Sequence, residues 1–120
     1  MKVVFTSSGD ELSSALDTRF GRAPKFLVYD LDTKTFEVID NQDNLKAAFG
    51  AGIKAAKKVA RTGASSLVTG YLHCGQKAFD VLSGAGIKTY TSNALTVAEA
   101  LAQYQAGKLS QVTTAEVGEQ

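Results

Sequence analysis

Two arginines three positions apart, Arg19 and Arg22, lie in the stretch Asp17-Thr-Arg-Phe-Gly-Arg-Ala-Pro-Lys-Phe26, together with Gly21 and the chain's only proline. Such a loop can present two guanidinium forks and free backbone N–H groups to an anion, because glycine relaxes the backbone and proline stiffens the exit. A second pair with chemical potential is His73-Cys74, the only histidine and the only cysteine of the chain. One imidazole and one soft thiolate suit copper or the edge of a sulfide-bound metal. A single cysteine excludes both an internal disulfide and a tetrathiolate site built from one chain. Nucleophilic catalysis is poorly served: adjacent residues on an extended segment point apart, and no other histidine exists to act as base.

Plainer roles stand beside these. Arg19 and Arg22 can be solvated, or can pair with Asp10, Asp17 or Asp30, since most surface charges bind nothing. A lone cysteine is commonly a small buried apolar residue. The cationic stripe Lys54, Lys57, Lys58, Arg61 reads as a solvated helix face. Gly50 and Gly52 serve close helix packing as readily as ligand contact.

The composition narrows the class. With 120 residues, 44% hydrophobic and 21% charged, the chain has the makings of one globular domain that needs no metal or disulfide staple. Thirteen basic residues against twelve acidic ones give a net charge of +1, so no global field favours nucleic acid or a membrane surface. The apolar run at the N-terminus spans only Val3 to Phe5, and nowhere do about 18 apolar residues follow one another. These features suit a reducing, cytoplasmic compartment.

The elements that must position the candidate residues follow from hydrophobic period. Lys2 to Thr6 reads as a strand buried on both faces and stopped by Ser7-Ser8-Gly9. Lys25 to Leu31 and Lys34 to Asp40 read as a hairpin turning at Asp32-Thr33. From Ala48 to Arg61, Phe49, Gly52, Ile53, Ala56 and Ala60 fall at helical spacing, and Gly63 ends the helix. Ser65 to Thr69 is a strand closed by Gly70, Gln76 to Ser83 a helix, and Ile87 to Tyr90 a brief strand. Thr96-Val-Ala-Glu99 has the form of a capping box for a helix running to Gln105 with Gly107 beyond it. Residues 108–120 are polar and aperiodic, a tail free to fray. Helical crossovers imply parallel pairing of the first, fourth and fifth strands, with the hairpin adding an antiparallel member. In open sheets of this kind ligands bind outside the carboxyl ends of the parallel strands. That rule selects three loops, Ser7 to Ala23, Gly70 to Gln76 and Thr91 to Leu95. A two-metal nuclease on such a sheet needs converging carboxylates, one typically from the first strand, and Met1 to Thr6 carries none.

One ordered set of residues spans nearly the whole chain: Arg19-Phe-Gly-Arg-Ala-Pro-Lys-Phe-Leu-Val-Tyr-Asp30, Asn41, Gly50-Ala-Gly52, Thr69-Gly70, Gly75, Ala78-Phe79, Gly86-Ile87, Thr96-Val-Ala-Glu-Ala-Leu101, Tyr104 and Gly107. It resembles the dinitrogenase iron-molybdenum cofactor biosynthesis family. The departure is Tyr71-Leu-His-Cys74, longer than the family's usual link, with Gln76 where proline is common. The resemblance implies a ribonuclease-H-like, three-layer α/β/α fold with a mixed five-stranded sheet of order 3-2-1-4-5 and strand two antiparallel. It implies one metal–sulfur-cofactor-binding domain over 1–107. It also implies non-enzymatic binding, storage or transfer of an anionic molybdenum-containing cluster. Likeness to the family's small stand-alone members implies a molybdenum–copper sulfide cluster held without covalent attachment; an iron–molybdenum–sulfur precursor is the alternative cargo. Arg19, Phe20, Gly21, Arg22, Gly50, Gly52, Gly70 and Gly75 are the expected cofactor-binding residues, and His73 and Cys74 the expected metal ligands. The expected partners are the cluster and a donor or acceptor protein, with no nucleic acid, no membrane, and a monomer or weak dimer as the assembly. The competing reading is a cofactor-free regulatory or interaction domain on the same fold.

Overall fold

The first strand, β1 (Lys2–Ser7), carries Val3, Val4 and Phe5, all fully buried, because both of its faces are covered. A computed structural model describes residues 1–46, 50–70 and 75–113. After β1 come β2 (Lys25–Asp30), β3 (Thr35–Asp40), a 3-10 turn at Gln42–Lys46, α1 (Ala51–Arg61), β4 (Ser66–Thr69), α2 (Gly75–Gly84), β5 (Lys88–Thr91), α3 (Val97–Gln105) and β6 (Ser110–Val112). They form one sheet of order β3-β2-β1-β4-β5-β6. Strands β1, β4 and β5 run parallel, β2 is antiparallel to β1 and β3, and β6 is antiparallel to β5.

The alternation of side chains splits the core into two layers. Val4, Phe26, Val28 and Leu67 pack with Ala55, Ala56 and Val59 of α1 and Ala78 and Leu82 of α2. Val3, Phe5, Leu27, Tyr29 and Val68 pack with Val97, Ala100 and Leu101 of α3. This is the three-layer, ribonuclease-H-like α/β/α arrangement expected from the sequence.

Four details differ from the expectation. The described residues form six strands rather than five, because the chain after α3 turns back at Gly107 (φ 69°) and pairs Ser110–Val112 with β5. An exposed edge of unpaired N–H and C=O groups is thereby covered by a segment with no periodicity of its own. The β2–β3 turn is longer than Asp32-Thr33, running from Leu31 to Lys34, because Asp30 Oδ1 accepts the N–H groups of Asp32 (2.9 Å) and Thr33 (3.3 Å) and Lys34 takes a left-handed φ of 60°. Helix α1 starts at Ala51, since Gly50 has φ 78°; Ala48 and Phe49 lie outside the described residues. Its buried stripe is Ala51, Ala55, Ala56 and Val59, displaced from the one read by periodicity, while Lys54, Lys57 and Arg61 are exposed and Lys58 binds Asp43.

The helix ends follow local rules closely. Thr96 Oγ1 accepts the Glu99 N–H at 3.2 Å and faces the Glu99 carboxylate at 3.3 Å. At the other end of α3, Lys108 N–H donates to Gln103 O and Gly107 N–H to Tyr104 O, a Schellman pair that needs glycine's positive φ.

Candidate functional site

The loop from Ser8 to Pro24 leaves the carboxyl end of β1 and crosses the ends of β1 and β4. Its first half is tied to α3. The N–H groups of Val97 and Ala98 donate to the carbonyls of Ser14 (3.0 Å) and Leu12 (2.8 Å), and Leu16 N–H donates to Leu95 O at 3.1 Å. With Thr96 capping Glu99, the amino end of α3 is satisfied from within the fold.

The second half is anchored at Asp17. Asp17 N–H donates to Thr6 O at 2.9 Å, and Asp17 O accepts from Thr6 Oγ1 at 2.8 Å and Gly70 N–H at 3.2 Å. Gly70 must be glycine here: an added Cβ would sit 2.7 Å from Thr18 Cα and 3.1 Å from Asp17 O. The Asp17 carboxylate, nearly buried, accepts Arg19 N–H at 2.8 Å, Arg19 Nε at 3.1 Å and Arg19 Nη2 at 3.1 Å. Of the alternatives open in the sequence, pairing with Asp17 is the one Arg19 adopts. The hydrogen bond from Asp17, reinforced by its charge, holds the Arg19 guanidinium above its ordinary value. The Arg19 side chain still keeps 59% of its exposure.

The remainder of the loop is clasped to α1. Asn41 Nδ2 donates to Gly21 O (3.2 Å) and Ala23 O (2.8 Å), and Asn44 Nδ2 donates to Gly21 O (3.0 Å) and Ala51 O (2.7 Å). Both asparagines are buried. Gly21 lies against the start of α1, where a Cβ would meet Gly52 N at 3.0 Å and the Ala51 carbonyl carbon at 3.1 Å. Arg22 is partly buried and donates to Asn44 O at 3.4 Å. Gly50, at the N-cap of α1, supplies no side-chain cap, in contrast to Thr96 of α3. The arginine loop therefore meets the amino end of α1 at Gly21 and the end of β4 at Asp17 and Thr18.

Of the residues singled out from sequence, Arg19, Gly21, Arg22, Gly50, Gly52 and Gly70 come together in this region. Phe20 points into the core, 1% exposed, with its ring 6.0 Å from that of Phe26. Gly75 opens α2. His73 and Cys74 lie outside the described residues. The third loop, Thr91 to Leu95, is bound to neighbouring elements, Ser92 N–H donating to Thr69 O at 3.0 Å and Ser92 Oγ to Gln103. Asp17 and Asn44 were not marked from sequence as site residues. The only signal was Asn41-x-x-Asn44 directly after a strand, where amides favour loop bracing over helix formation. Among the described residues no group of three or more His, Cys, Asp or Glu could hold a metal ion, and no helix is long and apolar enough to cross a membrane.

Known proteins share this fold. The family model described as dinitrogenase iron-molybdenum cofactor matches residues 1–107. The apo form of the orange protein from Desulfovibrio gigas is similar in structure, with TM-score 0.87 and 38% identity over 94% of this chain and 93% of that one. A NifB-type protein from Thermotoga, of the DUF35 family, follows with TM-score 0.81 and 34% identity over 94% of each chain. An uncharacterized protein from Methanocaldococcus jannaschii is 27% identical over 100 residues, 81% of this chain and 82% of its own length.

Proposed function

This chain belongs to the dinitrogenase iron-molybdenum cofactor family, and from that premise we propose that it binds, stores or hands on an anionic molybdenum-containing metal–sulfur cluster without catalysing a reaction. The observation that carries the proposal is that the loop bearing Arg19 and Arg22 lies against the start of α1 at Gly21 and Gly52, where Gly50 offers no side-chain cap. A thiometallate cluster is a large, soft anion, which charge-assisted donors and backbone N–H groups can hold without a cage of cysteines. The Arg19 loop would clamp one side of the cluster and the loop from Gly70 to Gln76 the other. In that second loop, Cys74 and His73 would offer a thiolate and an imidazole to a copper edge. The cargo is then a molybdenum–copper sulfide cluster, or an iron–molybdenum–sulfur precursor, received from or delivered to a partner protein in the cytoplasm.

The test is metal analysis with a visible absorption spectrum, on protein purified anaerobically and on apo-protein reconstituted with tetrathiomolybdate and a copper salt. Stoichiometric molybdenum and copper with sulfide-to-metal charge-transfer bands supports the carrier reading. No retained metal under either condition refutes it and leaves a cofactor-free interaction domain. Cys74→Ser separates direct ligation from electrostatic holding, since a purely electrostatic site tolerates the change.

A further inference from the structure

Arg19 enters the proposed site with part of its donor set already used. A guanidinium has five N–H donors, and Nε and Nη2 each direct one at the Asp17 carboxylate. Three remain to face outward on a side chain that is 59% exposed, while the Asp17 side chain beneath it is only 7% exposed. The other cations of the loop are tempered as well. Lys25 lies 3.7 Å from Asp10 and 3.9 Å from Asp40, and Arg22 reaches the Asn44 carbonyl. Residues 8–26 carry Asp10, Glu11 and Asp17 against Arg19, Arg22 and Lys25, so the loop proposed to take an anion is formally neutral.

We infer that Asp17 is the specificity-determining counter-charge of this site: it holds Arg19 in place while cancelling its charge, so that ligands are selected for size and softness rather than for charge alone. Small hard anions such as sulfate are strongly hydrated and repay their desolvation only where net positive charge is concentrated. A large thiometallate is weakly hydrated and can spread shallow contacts over the three outward N–H groups of Arg19, Arg22 and the start of α1. The carboxylate is not needed to hold the loop. Asp17 is anchored by its own backbone, through Thr6 O, Thr6 Oγ1 and Gly70 N–H. In Asp17→Asn the retained Oδ1 can still accept Arg19 N–H, so the variant removes the charge and keeps the frame.

This inference rests on the anion-site reading above, and the experiment separates the two. Titration calorimetry measures tetrathiomolybdate and sodium sulfate binding to the parent, to Asp17→Asn, and to Asp10→Asn, which removes an equal charge from an exposed position of the same loop. Asp17→Asn is expected to acquire measurable sulfate binding and to bind tetrathiomolybdate about three- to tenfold more tightly, with the preference for tetrathiomolybdate over sulfate reduced. Asp10→Asn is expected to change either affinity less than about twofold. A parent that binds tetrathiomolybdate with no gain in Asp17→Asn overturns the counter-charge role alone, as does an equal effect from Asp10→Asn. Loss of the folded circular dichroism spectrum in Asp17→Asn overturns it too, since Asp17 would then be a structural residue. A parent that binds neither tetrathiomolybdate nor a reconstituted cluster overturns the anion site itself.

Discussion

Replacing Gly70 by alanine tests the contact on which the site's geometry depends. The new methyl would lie 2.7 Å from Thr18 Cα, 3.1 Å from Asp17 O and 3.3 Å from Thr18 Cγ2. Two of these three atoms are backbone, so no rotamer change relieves the clash, and the crossing loop must lift from the end of β4. Lifting it strains the bonds from Gly70 N–H and Thr6 Oγ1 to Asp17 O and shifts the base on which Arg19 rests. Overpacking of this kind costs about 1–3 kcal/mol, and an unyielding backbone places Gly70→Ala near the upper end, about 2–3 kcal/mol. For a domain of this size that is a fall in Tm of about 6–15 °C. Thermal unfolding of the apo-protein measures it, with Gly84→Ala as the control. Gly84 ends α2, is exposed and has nothing within 4 Å of its added methyl, so that variant should hold or gain stability by up to about 1 kcal/mol. A Gly70→Ala Tm within about 2 °C of the parent would refute the close approach.

The double variant Arg19→Ala, Arg22→Ala should retain less cluster after desalting while its circular dichroism spectrum stays native; unchanged molybdenum content would remove the arginines from the site. Asn44→Ala deletes the donor shared by Gly21 O and Ala51 O, at a cost of about 1–3 kcal/mol by urea unfolding, and should loosen cluster retention through the displaced loop. Thr96→Ala removes the cap on α3 and should cost about 1 kcal/mol, with cluster binding untouched because α3 bonds the loop at Leu12 and Ser14, ahead of the arginines. Acid titration gives a signed expectation. Asp30 is held below 3.8 first by the Asp32 N–H and Asp43 below 3.8 first by Lys58, so folding favours their ionised forms. The stability they contribute is present above pH 3.8 and drains as pH falls through their lower folded values. Asp43→Asn should flatten that loss in urea midpoints measured across this window.

Much of the fold was legible because its determinants are local. Val3-Val-Phe5 announced a strand covered on both faces, Thr96 and Glu99 a capped helix, and Gly63 and Gly107 two helix ends, both with a positive φ in the structure. Period and capping depend on neighbours within a turn, and a chain carries that information directly. Strand β6 was not legible: Ser110–Val112 is a strand only because β5 offers an open edge. The start of α1 was misread because Ala48, Phe49 and Gly52 keep helical spacing through Gly50, whose left-handed φ interrupts it.

The same division runs through the site. Residue type alone marked Arg19 and Arg22 as anion donors, Gly21 as the supple point of their loop, Gly70 as the end of a strand, and the carboxyl ends of the parallel strands as the place to look. Only the tertiary structure decided that Phe20 belongs to the core, that Asp17 claims two of Arg19's donors, that Asn41 braces the loop at Gly21 and Ala23, and that Asn44 clasps it to α1. Spacing along a chain reports what a segment prefers by itself. Which carboxylate meets which guanidinium, and which carbonyl needs an amide, is set by segments distant in sequence that the sheet brings within about 3 Å of one another.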